Sequence, residues 1–577
     1  MSLSPIGIDI GSYKTVISVS VDVLLNSYSN RSTPSSLTFT QQGIRLFGED
    51  SKNQAIQNFK TTISQFKHLI KFNSLGELDF ISAQLIKHNH ELGFQLDNEF
   101  YGPVQLYSMF LGSLKTQIEE NGIKIGKCII SVPGNYTSRE RELVHIAGYI
   151  AGLKDLDVIS ESVAAGMTFA TKNHESGTDE QKRIIVDVGY SQLSISLLRI
   201  SERTIIVERS LVDNNIGGRI IDKLLCDNLL QKVGLNFEIH SKPYQRVLKE
   251  CEKFKKILSA NQFVSVNIEN VTEDKDINTS IKREEFEEWI NEILVRVQHD
   301  VSKFLHKKDQ FQSVELIGGT SRIPSIKDII SKGFKTELGL TLNQDEAISL
   351  GDAYLSAVFT KNLQQSHYKI QDLNLHKIDF FIHKEKFENV FPKNKKIPQQ
   401  QTLEFNIDND FTIEARDKHI ILGQWRLTGF DKSGPTFVQV QFLLNLQGEL
   451  ELIQADQVEQ TTSSKFTSVF GGKDQFQSVN QLKSQIVPLI SKSHIHHFIK
   501  QEAKLQKIDL ADKLNKETKN QLESTIYRTR RKLTNDELQS QYGSILDQLE
   551  DWLYEDGDEA PTETYKEKLA YLEQLPL

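Results

Sequence analysis

Two aspartates share one setting. Asp9 lies in the run Ile6-Gly7-Ile8-Asp9-Ile10-Gly11, and Asp187 holds the same place in Ile184-Ile185-Val186-Asp187-Val188-Gly189. A glycine at such a turn lets main-chain N–H groups approach an anion with no side chain in the way. A carboxylate beside it can hold a magnesium ion through water. Phosphate and magnesium together describe a nucleoside triphosphate. A single Asp-x-Gly is ordinary turn chemistry, but two copies in matching context are more specific. A third glycine site, Leu316-Ile317-Gly318-Gly319-Thr320-Ser321-Arg322-Ile323-Pro324, follows an apolar run and precedes a helix-like stretch, so its N–H groups are expected to crown a helix N-terminus. Around Cys251, an apolar stripe of Val247, Cys251, Phe254 and Leu258 leaves Glu252, Lys255, Lys256 and Ser259 together on another helix face. Taken alone, that face reads as solvated Glu–Lys pairing.

These residues need elements to hold them. Each Asp-x-Gly is followed by an alternating strand, Val16-Ile17-Ser18-Val19 and Leu193-Ser194-Ile195-Ser196, so each is expected at a hairpin tip. The large N-terminal region therefore has two similar halves whose tips can face one another. Strand-like and helix-like runs alternate to about residue 360, the pattern of an α/β architecture. At 577 residues the chain exceeds one core, and about three to five domains are expected. We read 1–362 as one domain, 363–374 as a polar linker, 375–472 as a small antiparallel β domain and 473–577 as a helical bundle. The β reading rests on period-two runs such as Phe437-Val438-Gln439-Val440-Gln441-Phe442. The helical one rests on Ile545, Leu549, Trp552 and Leu553, which share one face, with Trp552 expected in the bundle seam.

Composition narrows the function classes. With 68 basic and 77 acidic residues the net charge is -9, which argues against nucleic acid as a main partner. No apolar run is long enough to span a bilayer, and Met1 to Pro5 do not begin a signal peptide, so no membrane role is expected. Cys128, Cys226 and Cys251 form no CxxC pair, which points to a reduced cytoplasmic compartment, with the nucleus as a second possibility. His494, His496 and His497 lack acidic or cysteine partners and read as a polar helix, leaving magnesium as the only expected metal. The basic run Arg528 to Lys532 and the acidic stretch Glu555 to Glu559 read as solvated faces.

In this order, the pieces resemble the nucleotide-binding domain of the seventy-kilodalton heat-shock chaperones, a relative of actin and the sugar kinases. The resemblance covers nearly the whole chain. Four strings resemble the hundred-and-ten-kilodalton branch more closely: Asn30-Arg31-Ser32-Thr33-Pro34-Ser35, Leu258-Ser259-Ala260-Asn261, Leu342-Asn343-Gln344-Asp345-Glu346-Ala347, and Trp552-Leu553-Tyr554-Glu555-Asp556-Gly557. The resemblance implies an actin-like two-lobed ATPase domain, a small antiparallel β-sandwich and a C-terminal, lid-like helical bundle. It implies ATP or ADP with Mg2+ as cofactors. Asp9 and Asp187 take the place of the magnesium-water carboxylates, Lys67 that of the phosphate-facing lysine, and Glu161 that of the carboxylate near the attacking water. Gly11, Ser12, Tyr13 and Lys14, then Gly189, Tyr190, Ser191 and Gln192, with Gly217 and Gly218, match the phosphate contacts. Glu252, Lys255, Lys256 and Ser259, with Gly318, Gly319, Thr320, Arg322 and Asp345, match the adenosine pocket.

The departures carry expectations of their own. Hydrolysing relatives have Asp-Leu-Gly-Gly-Gly-Thr at the second tip, where this chain has Asp187-Val188-Gly189-Tyr190-Ser191-Gln192. Two glycines and a hydroxyl are lost, so Lys67, Glu161 and Asp187 are expected to support slow hydrolysis at most. The acidic-leucine linker of cycling chaperones is replaced by His367-Tyr368-Lys369-Ile370-Gln371-Asp372. The branch resemblance implies a nucleotide-exchange factor whose partner is a seventy-kilodalton heat-shock chaperone, embraced with the help of the helical tail. The alternative is an ATP-binding holdase for unfolded polypeptides.

Overall fold

The computed structural model describes residues 3–71, 81–88, 91–96, 98–172, 180–307, 309–360, 368–383, 385–461, 475–533 and 536–574. The chain divides into two compact units, Met1–Thr38 with Leu46–His496, and Phe39–Arg45 with His497–Leu577. Among the described residues no helix is long and apolar enough to cross a membrane.

The first unit holds two sheets built alike. In one, the hairpin Ser4–Ile10 and Lys14–Val19 is antiparallel, and Ser4–Ile10 also pairs in parallel with Ile125–Val132, which pairs with Leu156–Ser160. In the other, Gln181–Val188 and Leu193–Ser201 form the hairpin, and Gln181–Val188 pairs in parallel with Ser313–Ile317. The internal repeat is thus a repeat of topology. Both first strands are buried on both faces, which explains their nearly continuous Ile/Val runs.

Helices Glu161–Lys172 and Ala347–Thr360 pack between these sheets at close range, which two glycines permit. A Cβ at Gly351 would lie 1.8 Å from the Ala164 carbonyl oxygen, and one at Gly7 would lie 2.2 Å from that of Ser349. The helix Lys242–Ala260 starts at an N-cap Ser241 whose hydroxyl accepts the Tyr244 N–H. It buries Val247, Cys251, Phe254 and Leu258, as its stripe predicts. Each such side chain contributes about 1.5–3 kcal/mol.

Two antiparallel sheets follow. One contains Ile378–Ile382, Glu385–Phe391, Phe411–Asp417, Ile420–Thr428 and Lys483–Ile486; the other contains Gln399–Asn406, Phe437–Leu444, Leu450–Thr461 and Gln475–Gln481. They share one apolar core in which the Phe380 and Phe442 rings lie 4.5 Å apart. The second unit holds the helix Lys492–Arg530 from His497 onward and the helices Asp536–Tyr554 and Thr562–Glu573, with Leu549, Leu553 and the partly buried Ile545 and Trp552 in one cluster.

Three expectations need correction. The polar segment read as a linker is in part a strand: residues 363–367 lie outside the described residues, but Lys369–Asn374 pairs in parallel with Thr204–Asp213. Its Ile370, Asp372 and Leu373 are buried. The stretch from 473 is not all helical, because Gln475–Gln481 and Lys483–Ile486 complete the two antiparallel sheets and the helix begins at Lys492. Finally, Gly318-Gly319 does not crown an α-helix directly; a 3-10 turn, Gly319–Arg322, precedes the helix Pro324–Phe334.

Candidate functional site

The two hairpin tips face a cavity of about 340 Å³, a size typical of small-ligand sites. On its floor lie Asp9, Lys67, Glu161 and Asp187. Asp9 is near the end of the first strand, Asp187 occupies the corresponding place in the second half, Lys67 sits on the short helix Phe66–Lys71, and Glu161 opens the helix Glu161–Lys172. The Lys67 ammonium pairs closely with Glu161 Oε1 and lies 3.7 Å from Asp9 Oδ1. The Tyr136 hydroxyl donates to the Lys67 carbonyl oxygen and fixes that helix.

Three carboxylates thus share one ammonium. Burial pushes the Asp9 carboxyl up to about 6 against the pull of Lys67. Burial, with Glu161 and Asp9 adding to it, pushes Asp187 up to about 8. For Lys67, burial disfavours the charge, but Glu161 and Asp9 outweigh it and hold the ammonium above its usual range. The set therefore carries more negative charge than its surroundings compensate. Hard oxygen donors with excess negative charge fit a hydrated divalent cation such as magnesium.

The walls come from the other expected residues. Gly11, Ser12, Tyr13 and Lys14 line one side, and Gly189, Tyr190, Ser191 and Gln192 line the other. The Ser35 hydroxyl donates to the Gly11 carbonyl oxygen at 2.6 Å, and the Gly189 N–H donates to the Gln192 carbonyl oxygen at 2.9 Å. Those bonds hold the two turns. Glu252, Lys255, Lys256 and Ser259 line one end, where Gly318, Gly319, Thr320, Arg322 and Asp345 also lie. Gly318 has φ +83, and a Cβ there would sit 2.3 Å from Asp187 Oδ1, so only glycine lets this turn lie against the aspartate. Arg322 holds Asp345 through two bonds of 3.1 and 2.8 Å. Gly217 and Gly218 stand one layer back: the Gly218 N–H donates to the Gly189 carbonyl oxygen at 3.1 Å and supports the second tip.

Some participants have little or no mark in the sequence. Asp222 pairs with Lys255 at 2.7 Å; burial pushes its carboxyl up to about 6 while Lys255 opposes the rise. Its position one turn after Gly218 on the helix Gly218–Lys232 is the available signal. Lys52 reaches the Tyr13 hydroxyl at 2.6 Å, and no local pattern marks it. Asp352 is fully buried on the helix behind Asp9, and burial drives its carboxyl well above the usual range. It reads in sequence as one polar residue in an apolar helix.

A protein-family model described as Hsp70 protein matches residues 5–576. The chain belongs to the Hsp70 family. Its relatives are heat shock proteins of the hundred-and-ten-kilodalton branch. They include "Heat shock protein hsp88" of Neurospora crassa, 30% identical over 640 aligned positions that cover 99% of this chain and 90% of that protein. A heat shock protein homolog of Saccharomyces cerevisiae is 27% identical over 99% of this chain and 91% of its own length. The "97 kDa heat shock protein" of Mesocentrotus franciscanus is 33% identical over 75% of this chain and 52% of its own length. The N-terminal domain thus has the actin-like ATPase fold of the Hsp70 family.

Within that family fold, the residues that depart from the hydrolysing pattern make specific contacts. Gln192 Nε2 donates to Glu161 Oε2 at 3.1 Å, so with Lys67 on Oε1 both oxygens of Glu161 are engaged. Ser12 and Ser191 share a hydrogen bond of 2.8 Å from one tip to the other. Arg31, in the first of the four branch-like strings, holds Glu346 in the third through bonds of 2.5 and 3.1 Å.

Proposed function

We propose that this protein is an ATP-binding co-chaperone that acts as a nucleotide-exchange factor for a seventy-kilodalton heat-shock chaperone. The observation that carries the proposal is the Glu161 carboxylate: it lies in a cleft suited to a magnesium nucleotide, yet both its oxygens are engaged by Lys67 and Gln192. Such a site favours holding a nucleotide over turning it over. The full-length match to the Hsp70 model and the heat-shock relatives support the chaperone setting.

In this reading Asp9 and Asp187 hold magnesium through water. Lys67 and the tip N–H groups of Gly11 to Lys14 and Gly189 to Gln192 face the phosphates. Glu252, Lys255, Lys256, Ser259, Arg322 and Asp345 surround the adenosine. The nucleotide supplies charge and shape that brace the two lobes, and the braced domain binds the partner's open lobes. Linkage then requires it to weaken the partner's grip on ADP by the same factor by which ADP weakens this protein's binding. A hundredfold faster release needs the opening transition lowered by about 2.7 kcal/mol.

The experiment is release of fluorescent ADP from a purified seventy-kilodalton chaperone, with and without this protein loaded with MgATP. Acceleration that grows with its concentration and then saturates is expected. Release unchanged at saturating protein removes the proposal.

A further inference from the structure

Three consecutive residues of the first tip each reach a different element across the cleft. The Ser12 hydroxyl lies 2.8 Å from that of Ser191 on the second tip. The Tyr13 hydroxyl donates to the Glu252 carboxylate on the helix Lys242–Ala260. The Lys14 ammonium lies 2.9 Å from Asp345 Oδ1. We propose that Ser12, Tyr13 and Lys14 form a clasp over the nucleotide cleft, with Tyr13 at its centre, and that this clasp sets how slowly the protein releases its own nucleotide. The inference rests on the nucleotide reading of the cleft and adds the residues that control its opening.

Tyr13 is the best-supported member. Its ring lies 5.1 Å from that of Tyr190, inclined at 49°, so each tip contributes one aromatic ring to a contact across the gap. The Lys52 and Lys256 ammoniums lie 4.6 and 4.9 Å from the Tyr13 ring centroid and donate to its hydroxyl at 2.6 and 3.0 Å. That oxygen accepts two N–H bonds while its own proton goes to Glu252. Burial and then the Glu252 charge hold the phenol well above its usual range, so it keeps that proton. Burial works against the Glu252 carboxylate, but Lys52 and Lys256 hold it below its usual range as an acceptor. A tip of glycines and small hydroxyl residues cannot span the gap in this way; the two tyrosines make it possible.

Separating the lobes breaks these interactions together, because Tyr13 contacts both Glu252 and Tyr190. Bonds that must all open in one step before the ligand can leave slow its dissociation and do not act additively. The clasp therefore acts on release far more than on association.

The test is stopped-flow release of fluorescent ADP from the full-length protein. Tyr13→Phe, which keeps the ring and removes the hydroxyl, is expected to speed release about tenfold with the association rate within about twofold. Tyr190→Gly is expected to give a similar gain. Ser12→Ala, a smaller change, is expected to give a smaller acceleration and serves if a tyrosine variant folds poorly. Wild-type binding with Tyr13→Phe and Ser12→Ala releasing at the wild-type rate overturns the clasp alone. No binding by the wild type overturns the nucleotide reading and the clasp with it.

Discussion

Gln192→Thr is expected to raise the rate at which bound MgATP is hydrolysed. In the cleft the Gln192 amide lies 3.1 Å from Glu161 Oε2, while Lys67 bonds Oε1, so each carboxylate oxygen already accepts one bond and fewer acceptor positions remain to orient an attacking water. Threonine is too short to keep that bond, and it restores the hydroxyl found at this tip in hydrolysing relatives. One preorganised transition-state contact is worth about 3–4 kcal/mol, or about a hundredfold to a thousandfold in rate. Tyr190 and Ser191 still replace glycines, so the expected gain is smaller, about tenfold to a hundredfold. The stability cost is the loss of one hydrogen bond to a charged group, about 1.5–3 kcal/mol. The assay is single-turnover phosphate release from prebound MgATP, with affinity measured in parallel. Gln192→Ala separates the two causes: it frees Glu161 without supplying a hydroxyl and is expected to gain less. Normal MgATP binding by Gln192→Thr with hydrolysis at the wild-type rate refutes a restraining role for Gln192.

Other residues give separate outcomes. Asp187→Asn is expected to stabilise the protein measured without nucleotide, by about 1–3 kcal/mol at pH 8 and above. Because the folded carboxyl is raised to about 8, its protonated form favours folding at low pH and that advantage is lost as pH rises through 8, so the gain shrinks toward pH 4. Melting curves across that range check it, and a gain independent of pH contradicts it. Arg45→Ala removes a cation whose side chain is 1% exposed and which bonds Glu502 at 2.7 Å and Asp509 at 2.6 Å. A loss of about 3–5 kcal/mol in the helical unit is expected, visible as faster hydrogen exchange along Lys492–Arg530, and unchanged protection there contradicts it. Gly351→Ala places a methyl 1.8 Å from the Ala164 carbonyl oxygen and is expected to cost about 3 kcal/mol or more, read as a lower denaturation midpoint.

Some residues that line the cleft have a sequence signal and others have none. Asp9 and Asp187 could be found because the chain states the same apolar-Asp-x-Gly phrase twice, and hairpin topology converts the repeat into two facing tips. Helical period beside the Cys251 stripe puts Glu252, Lys255, Lys256 and Ser259 on one face, but that face alone reads as solvated Glu–Lys pairing, and only the family resemblance makes it a pocket. Lys67 and Glu161 have no comparable local mark; family resemblance pointed to them. Contacts between distant segments had no sequence signal at all: nothing local predicts that Gln192 reaches Glu161, or that Lys52 reaches Tyr13. The missed strands have a different cause. Lys369–Asn374 is polar because its Asp372 and Asn374 are used in buried hydrogen bonds, so composition imitates a linker. Gln475–Gln481 is glutamine-rich on an edge, where one neighbouring strand and few core contacts leave a faint alternation.

Calorimetric titration of the purified protein with MgATP, repeated for Asp9→Asn and Lys67→Ala, addresses the cleft most directly. One site per chain is expected, with affinity falling when magnesium is chelated and falling sharply in both variants. Absence of binding in the wild type, or binding that neither variant weakens, contradicts the account.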